Sequence, residues 1–169
     1  MAKSKLYYWD RDWPGHVGFC IDLESMSSGP ALPNFALNTY VPMGATNLSN
    51  YVSWTAAGVM SAKALTTGIK AYACTFEEDL ESIGRKADKM IEIDGLDIAA
   101  MKREWFEIRT KRGATWKLLA KSCAVVALRV MRAGGADALV PSWSKRNPAI
   151  ITPAAVWSYA KSAAKHAAG

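Results

Sequence analysis

The sequence predicts an α+β fold, with strands mainly in the first part of the chain and helices mainly in the second. Two short apolar and aromatic runs, KLYYW (5–9) and HVGFCIDL (16–23), are typical of strands. After residue 75, apolar residues recur at helical spacing. A length of 169 residues favours one domain, 1–169, that buries a core without help from disulfides.

Two further runs in the first half are strand-like. NYVSWTA (50–56) is β-branched and aromatic, and GIKAYACT (68–75) has a similar character. The segment 24–50 between the early and later strands is rich in Ser, Gly, Pro and Asn. It is therefore predicted to be a long loop, and long loops in compact domains are often functional.

The first predicted helix follows a capping box formed by Thr75 and Glu78. Its apolar face would comprise Phe76, Leu80, Ile83, Ala87 and Met90. An extended piece and a glycine turn, IEIDGLD, are expected to separate it from the next helix.

Three more helices are predicted in the second half. Asp97 caps one whose apolar face is Ile98, Met101, Trp105 and Ile108. Another lies within residues 116–137 and is ended by Gly134 and Gly135. A proline-containing loop (141–151) precedes the last one, which has Thr152 as N-cap and Pro153 in the first position.

The composition argues against several classes of protein. The net charge of +6 is spread over the chain, and no nucleic-acid motif or membrane-length apolar run is found. The three cysteines are widely spaced without a CxxC pair, so no zinc site or cofactor is expected. The N-terminus has no apolar signal-peptide core, which predicts folding in the cytoplasm and export by some other route.

His16 is the candidate base. In a strand it shares a face with Gly18, Cys20 and Asp22, whereas the opposite face is fully apolar. A histidine that only hydrogen-bonds a loop would fit the same position. The second histidine, His166, lies in an Ala/Lys-rich tail and is expected to be solvated.

Cys123 is the candidate nucleophile. With Ser122 as N-cap it would lie in the first turn of a helix, where the helix dipole and neighbouring Lys121 favour the thiolate. The competing interpretation places Cys123 on an apolar face with Leu119, Val126 and Val130, as part of the core. Cys20 and Cys74 lie in strand-like runs and are expected to be buried and inert.

A thiolate at a helix start beside an imidazole on a strand is the arrangement of papain-like enzymes. The histidine takes the thiol proton, and the thiolate attacks a carbonyl. A third polar group usually orients the imidazole. Ser53 is the first candidate for it, with Asn50 and Asp22 as alternatives.

The order of the motifs resembles circularly permuted papain-like amidases of the NlpC type, in particular the group found among type VI secretion effectors. In that group, histidine precedes cysteine. The resemblance spans roughly residues 7–160 and rests on PGHVGFCIDL, YVSW, IDGLDIAAMKREW and WKLLAKSCAVVALRVMRAGG. NYVSWTAAG lacks the second Trp and the Pro of the family's strand pattern, so the third catalytic group stays open.

The resemblance implies a small antiparallel sheet packed against helices, with Cys123 as nucleophile and His16 as base. It also implies a cysteine amidase that cleaves peptidoglycan stem peptides after injection into the periplasm of a target bacterium. An immunity protein and a secretion component would be its partners, and no stable membrane insertion is expected. The wider permuted superfamily also contains lipid acyltransferases and phospholipases, and a non-catalytic interaction module is the third alternative.

Overall fold

A computed structural model describes residues 3–10, 15–27, 49–57, 67–111, 115–140 and 151–167. They form an α+β fold in which two small antiparallel sheets pack against helices. The strands are β1 (Lys3–Trp9), β2 (His16–Cys20), β3 (Tyr51–Val52), β4 (Trp54–Ala56), β5 (Ile69–Ala73), β6 (Lys89–Asp94) and β7 (Thr115–Trp116). The helices are α1 (Leu23–Ser27), α2 (Phe76–Ile83), α3 (Ile98–Thr110), α4 (Cys123–Ala133), α5 (Ala136–Leu139) and α6 (Pro153–Ala167).

The larger sheet has the strand order β3-β2-β1-β6, and the smaller sheet has the order β4-β5-β7. The predicted strand 50–56 is divided between them, because β3 pairs with β2 whereas β4 pairs with β5. Ser53 is the residue at which the chain passes from one sheet to the other. Its carbonyl accepts a hydrogen bond from the Cys74 amide at 3.2 Å.

The central strands of the larger sheet, β1 and β2, are buried on both faces. Along β1, Leu6 and Tyr8 belong to the main core, whereas Tyr7 and Trp9 belong to a smaller cluster on the opposite face. Helix α2 contributes apolar side chains to the smaller cluster. Helices α3, α4 and α6 contribute to the main core. The sheet therefore separates α2 from α4, and a side chain at its end can reach both helices.

Two of the predicted boundaries are wrong. Helix α2 ends at Gly84, whose φ of 73° is left-handed, so Ala87 and Met90 do not continue its apolar face. Met90 instead lies on β6 and is 57% exposed. The strand predicted over 16–23 ends at Cys20, and helix α1 occupies the start of the predicted loop. Most of that loop, 28–48, lies outside the described residues.

The N-caps predicted for two of the later helices are confirmed by the structure. The Asp97 carboxylate accepts a hydrogen bond from the Ala100 amide at 2.9 Å, and the Thr152 hydroxyl accepts one from the Ala155 amide at 3.1 Å. Helix α4 ends at Gly134, as predicted. The predicted loop before α6 falls almost entirely on residues 141–150, which are not described. No helix in the described ranges is long and apolar enough to cross a membrane.

We predict that the core beneath β4 depends on Trp105. Its ring is fully buried and meets Trp54 edge to face at 6.2 Å. Trp105→Ala should lower the free energy of unfolding by about 3–5 kcal/mol in denaturant titrations. The next residue provides the control, since Phe106 is 53% exposed and Phe106→Ala should cost less than about 1 kcal/mol. Equal losses in the two variants would contradict this description of the core.

Candidate functional site

Cys123 is the first residue of α4. The Ser122 hydroxyl caps the helix by accepting a hydrogen bond from the Val125 amide at 3.4 Å. The amides of a first helical turn have no partner within the helix, and the helix dipole makes this end partly positive. Cys123 is 8% exposed, so its sulfur lies in a mostly dry position where that field is weakly screened.

His16 opens β2, and its side chain is 16% exposed. The residue before it, Gly15, has a φ of 78°. The indole of Trp9 lies against the imidazole, with ring centroids 5.5 Å apart, and is itself fixed because its N–H donates to the Arg85 carbonyl at 3.1 Å. The imidazole is therefore shielded from solvent along one side and restricted in orientation.

The structure brings His16 and Cys123 into side-chain hydrogen-bond contact, although 107 positions of sequence separate them. Burial alone would raise the pKa of the thiol. The charge and hydrogen bond of His16, with a further hydrogen bond from the Val17 amide, outweigh burial and hold the pKa of Cys123 below its usual value. The site therefore favours a thiolate beside an imidazolium.

The carboxylate of Asp79, on α2, holds the other side of the imidazole. Asp79 Oδ2 lies 3.1 Å from His16 Nε2. Burial would lower the pKa of His16, but the charge of Asp79 and then that of Cys123 raise it to about 10. Because Nε2 is directed at Asp79, the other ring nitrogen, Nδ1, is the one available to the Cys123 sulfur.

Asp79 is 2% exposed, and two hydroxyl groups hold its carboxylate in addition to His16. Tyr51 donates to Oδ2 at 2.9 Å, and Ser53 donates to Oδ1 at 3.0 Å. All three donors come from the larger sheet or its end, whereas Asp79 comes from the helix that covers it. A buried carboxylate is tolerated only when it is paired in this way.

Asp79 was not among the candidates for the third group that the sequence predicted. The signal was present, because Asp79 lies three residues after Phe76 and four before Ile83, both of which were assigned to the apolar face. A carboxylate within an apolar helical face must find a buried partner. The partner of Asp79 could not be predicted from the sequence, because no local pattern shows which strand the helix packs against.

The three predicted candidates for the third group have different positions. Ser53 contacts the site, and its hydroxyl lies 3.3 Å from His16 Nε2 while it donates to Asp79. Asn50 instead donates to the Asp22 carbonyl at 2.7 Å, and the Asp22 carboxylate pairs with Lys102 at 3.5 Å. The groups in contact with the imidazole are therefore Asp79 and Ser53, whereas Asn50 and Asp22 contact other groups.

The other two cysteines have different surroundings. Burial raises the pKa of both Cys20 and Cys74 to about 12, so their thiols stay protonated at neutral pH. The Cys74 thiol donates to the Thr55 hydroxyl at 3.3 Å. It lines a cleft of about 530 Å³ together with Thr55, Tyr72, Glu78, Glu81 and Ser82. Among the described residues, no group of three or more His, Cys, Asp or Glu side chains is arranged to hold a metal ion.

A short hairpin precedes the nucleophile. Lys117 and Lys121 form an isolated antiparallel bridge, and the Lys121 ammonium lies 5.0 Å above the ring of Trp54. Burial, and then the charges of Lys111 and Arg129, lower the pKa of Lys121. The tip of the hairpin carries Leu119, which is 44% exposed, so the competing interpretation is wrong for this residue. Cys123, Val126 and Val130 do belong to the main core, as that interpretation expected.

Comparison with known proteins links the chain to bacterial toxins. Residues 38–168 match the family model described as the IcsB middle domain. The chain is 33% identical over 69 residues to a multifunctional-autoprocessing repeats-in-toxin of Vibrio vulnificus, and 42% identical over 50 residues to one of Vibrio cholerae serotype O1 (strain ATCC 39315 / El Tor Inaba N16961). The matches cover 41% and 30% of this chain but only 1% of each toxin.

We predict that Cys123 is the most reactive thiol of the protein. Its lowered pKa leaves thiolate present as the pH falls towards neutrality, whereas Cys20 and Cys74 remain thiols. Iodoacetamide at neutral pH should therefore modify Cys123 at least tenfold faster than the others, as measured by peptide mass spectrometry.

His16→Ala is the matched variant for this measurement. It removes the imidazole that lowers the thiol pKa, so rapid alkylation of Cys123 should shift to alkaline pH. Equal alkylation rates for the three cysteines, or an unchanged pH profile in His16→Ala, would contradict the proposed ion pair.

Proposed function

This chain belongs to the IcsB middle domain family, and we propose that it is a cysteine-dependent acyl-transfer domain of a bacterial toxin. The observation that carries the proposal is the chain of contacts from Cys123 through His16 to Asp79. It supplies an activated nucleophile, a proton carrier and a group that orients the carrier. Similarity to two Vibrio toxins supports the toxin-like role.

The proposed reaction has two halves. The Cys123 thiolate attacks the carbonyl carbon of an acyl substrate, and the His16 imidazolium gives its proton to the departing amine, alkoxide or thiolate. The product is a thioester on Cys123. His16 then takes a proton from water or from an acceptor amine, which attacks the thioester and releases the Cys123 thiolate.

The negative charge that develops on the carbonyl oxygen needs a donor. The backbone amide of Cys123 is suited to this, because the first amide of a helix has no acceptor within the helix. The positive end of the α4 dipole acts in the same direction. Asp79 keeps the imidazole in place and stabilises its charge while both halves proceed.

The first candidate substrate is an amide bond in peptidoglycan stem peptides. Its support is the resemblance to permuted NlpC-type amidases. In that group the strand that carries the histidine precedes the helix that carries the cysteine, as β2 precedes α4 here. On this proposal the fold is a permuted papain-like one, and the domain acts in the periplasm of a target bacterium after injection. A cognate immunity protein and a secretion component would then be its partners.

The second candidate is the acyl group of a lipid, and the hairpin before α4 favours it. This hairpin presents the exposed Leu119 between Lys117 and Lys121, next to the nucleophile. An apolar tip flanked by cations suits an acyl chain attached to an anionic group. The same thioester would then pass its acyl group to water or to an amine.

We predict that both activities require the same residues. Cys123→Ala and His16→Ala should abolish product formation, and Asp79→Asn should reduce the turnover rate roughly 10²–10⁴-fold, because the imidazolium loses its charged partner. The assay incubates the purified protein separately with peptidoglycan fragments and with acyl-chain donors. Mass spectrometry then detects cleaved stem peptides, released fatty acid and acyl groups attached to Cys123.

The outcomes separate the candidates. New stem-peptide ends that depend on Cys123 and His16 support the amidase, whereas a fatty acyl thioester on Cys123 with intact peptidoglycan supports the lipid-directed enzyme. Asp22→Asn is the matched control, since that carboxylate pairs with Lys102 and should leave turnover unchanged. Toxicity or product formation that survives both Cys123→Ala and His16→Ala would overturn the thiol mechanism.

A further inference from the structure

Tyr51 reaches the site from the interior of the larger sheet. Its side chain is fully buried, and its hydroxyl donates to Asp79 Oδ2 at 2.9 Å. The same oxygen lies 3.1 Å from His16 Nε2. Tyr51 and His16 therefore share one carboxylate oxygen, while Ser53 holds the other.

Gly18 makes this approach possible. A Cβ atom at position 18 would lie 1.8 Å from the Tyr51 hydroxyl oxygen and 2.6 Å from its ring carbon Cζ. A glycine inside a strand weakens the strand, and it often marks a close approach of another group. Here the approaching group is the ring of Tyr51, which crosses β2 on its way to Asp79.

The ring of Tyr51 is fixed along its length. Tyr7 and Phe76 meet it edge to face, with centroids 6.2 and 5.5 Å away. With the ring held in this way, the hydroxyl has one position relative to α2. A buried hydrogen bond to a carboxylate is worth more than an exposed one, since the surroundings screen it weakly.

We infer that Tyr51 is a positioning residue that fixes the Asp79 carboxylate towards His16, in the space that Gly18 leaves on β2. The inference rests on the proposed function. Tyr51 donates to Oδ2 and Ser53 donates to Oδ1, so the carboxylate cannot rotate without losing a hydrogen bond. The second acceptor direction of Oδ2 is then available to His16 Nε2, which lies 3.1 Å away.

The experiment compares Tyr51→Phe with Tyr7→Phe. Both remove one hydroxyl from the same apolar cluster, but among the described residues the side-chain donors to the Asp79 carboxylate are His16, Tyr51 and Ser53. The readout is the pH profile of iodoacetamide alkylation of Cys123, which needs no substrate. Among the described residues, the titratable groups around Tyr51 and Asp79 include His16, Cys123, Tyr7, Cys20, Tyr72 and Cys74.

Tyr51→Phe should raise the apparent pKa of Cys123 and slow its alkylation at neutral pH by about tenfold, the size expected for one lost hydrogen bond to a charged group. Tyr7→Phe should leave the profile unchanged. Gly18→Ala should have the same effect as Tyr51→Phe. It leaves the Tyr51 hydroxyl in place but displaces the ring, and so moves the hydroxyl away from Asp79. Thermal unfolding of each variant checks that the protein remains folded.

A profile for Tyr51→Phe that equals those of wild type and Tyr7→Phe would overturn the positioning role, and so would a lowered apparent pKa. Failure of the proposed function looks different. The wild-type thiol would then titrate as described, and Tyr51→Phe would still shift the profile, but no acyl thioester or cleaved product would form with any donor.

Discussion

The hydrogen-bonded chain from Cys123 through His16 to Asp79 is the interaction on which the site depends. Each of these three side chains is wholly or largely buried, and an unpaired charge at any of them would be unfavourable by several kcal/mol. Their charges stabilise one another, since the imidazolium lies between a thiolate and a carboxylate. Removing one member therefore changes the protonation of the other two.

The sheet determines how these residues meet. Helix α2 covers one face of β1 and β2, and α4 packs on the other, so Asp79 and Cys123 approach from opposite sides. His16 at the start of β2 is the residue that reaches both. The chain crosses between the two sheets at Ser53, which places a hydroxyl beside the imidazole at the same end. The interior of the sheet also contributes, because Tyr51 donates a hydrogen bond to Asp79 through the space that Gly18 leaves.

Much of this arrangement was predictable where the signal is local. The cap of α4 at Ser122, the opposite faces of β2 and the choice of Cys123 over Cys20 and Cys74 all follow from short-range patterns. Asp79 was missed because its role depends on a contact with a residue 63 positions away. The predicted first helix was too long for another reason. Apolar residues at helical spacing continue in the sequence past Gly84, the glycine that ends α2 in the structure.

The chain belongs to the IcsB middle domain family and is similar, over part of its length, to two Vibrio toxins. The chemistry proposed for this site depends on His16 being an imidazolium at neutral pH. The chain has two histidines, so ¹⁵N NMR of labelled imidazoles resolves His16 directly, with the exposed His166 as the second signal. We predict that His16 keeps both ring protons well above neutral pH, with a pKa near 10. We also expect the pKa of His16 to fall in Cys123→Ala and in Asp79→Asn. A neutral His16 ring in the wild-type protein at neutral pH would be incompatible with the ion pair described for this site.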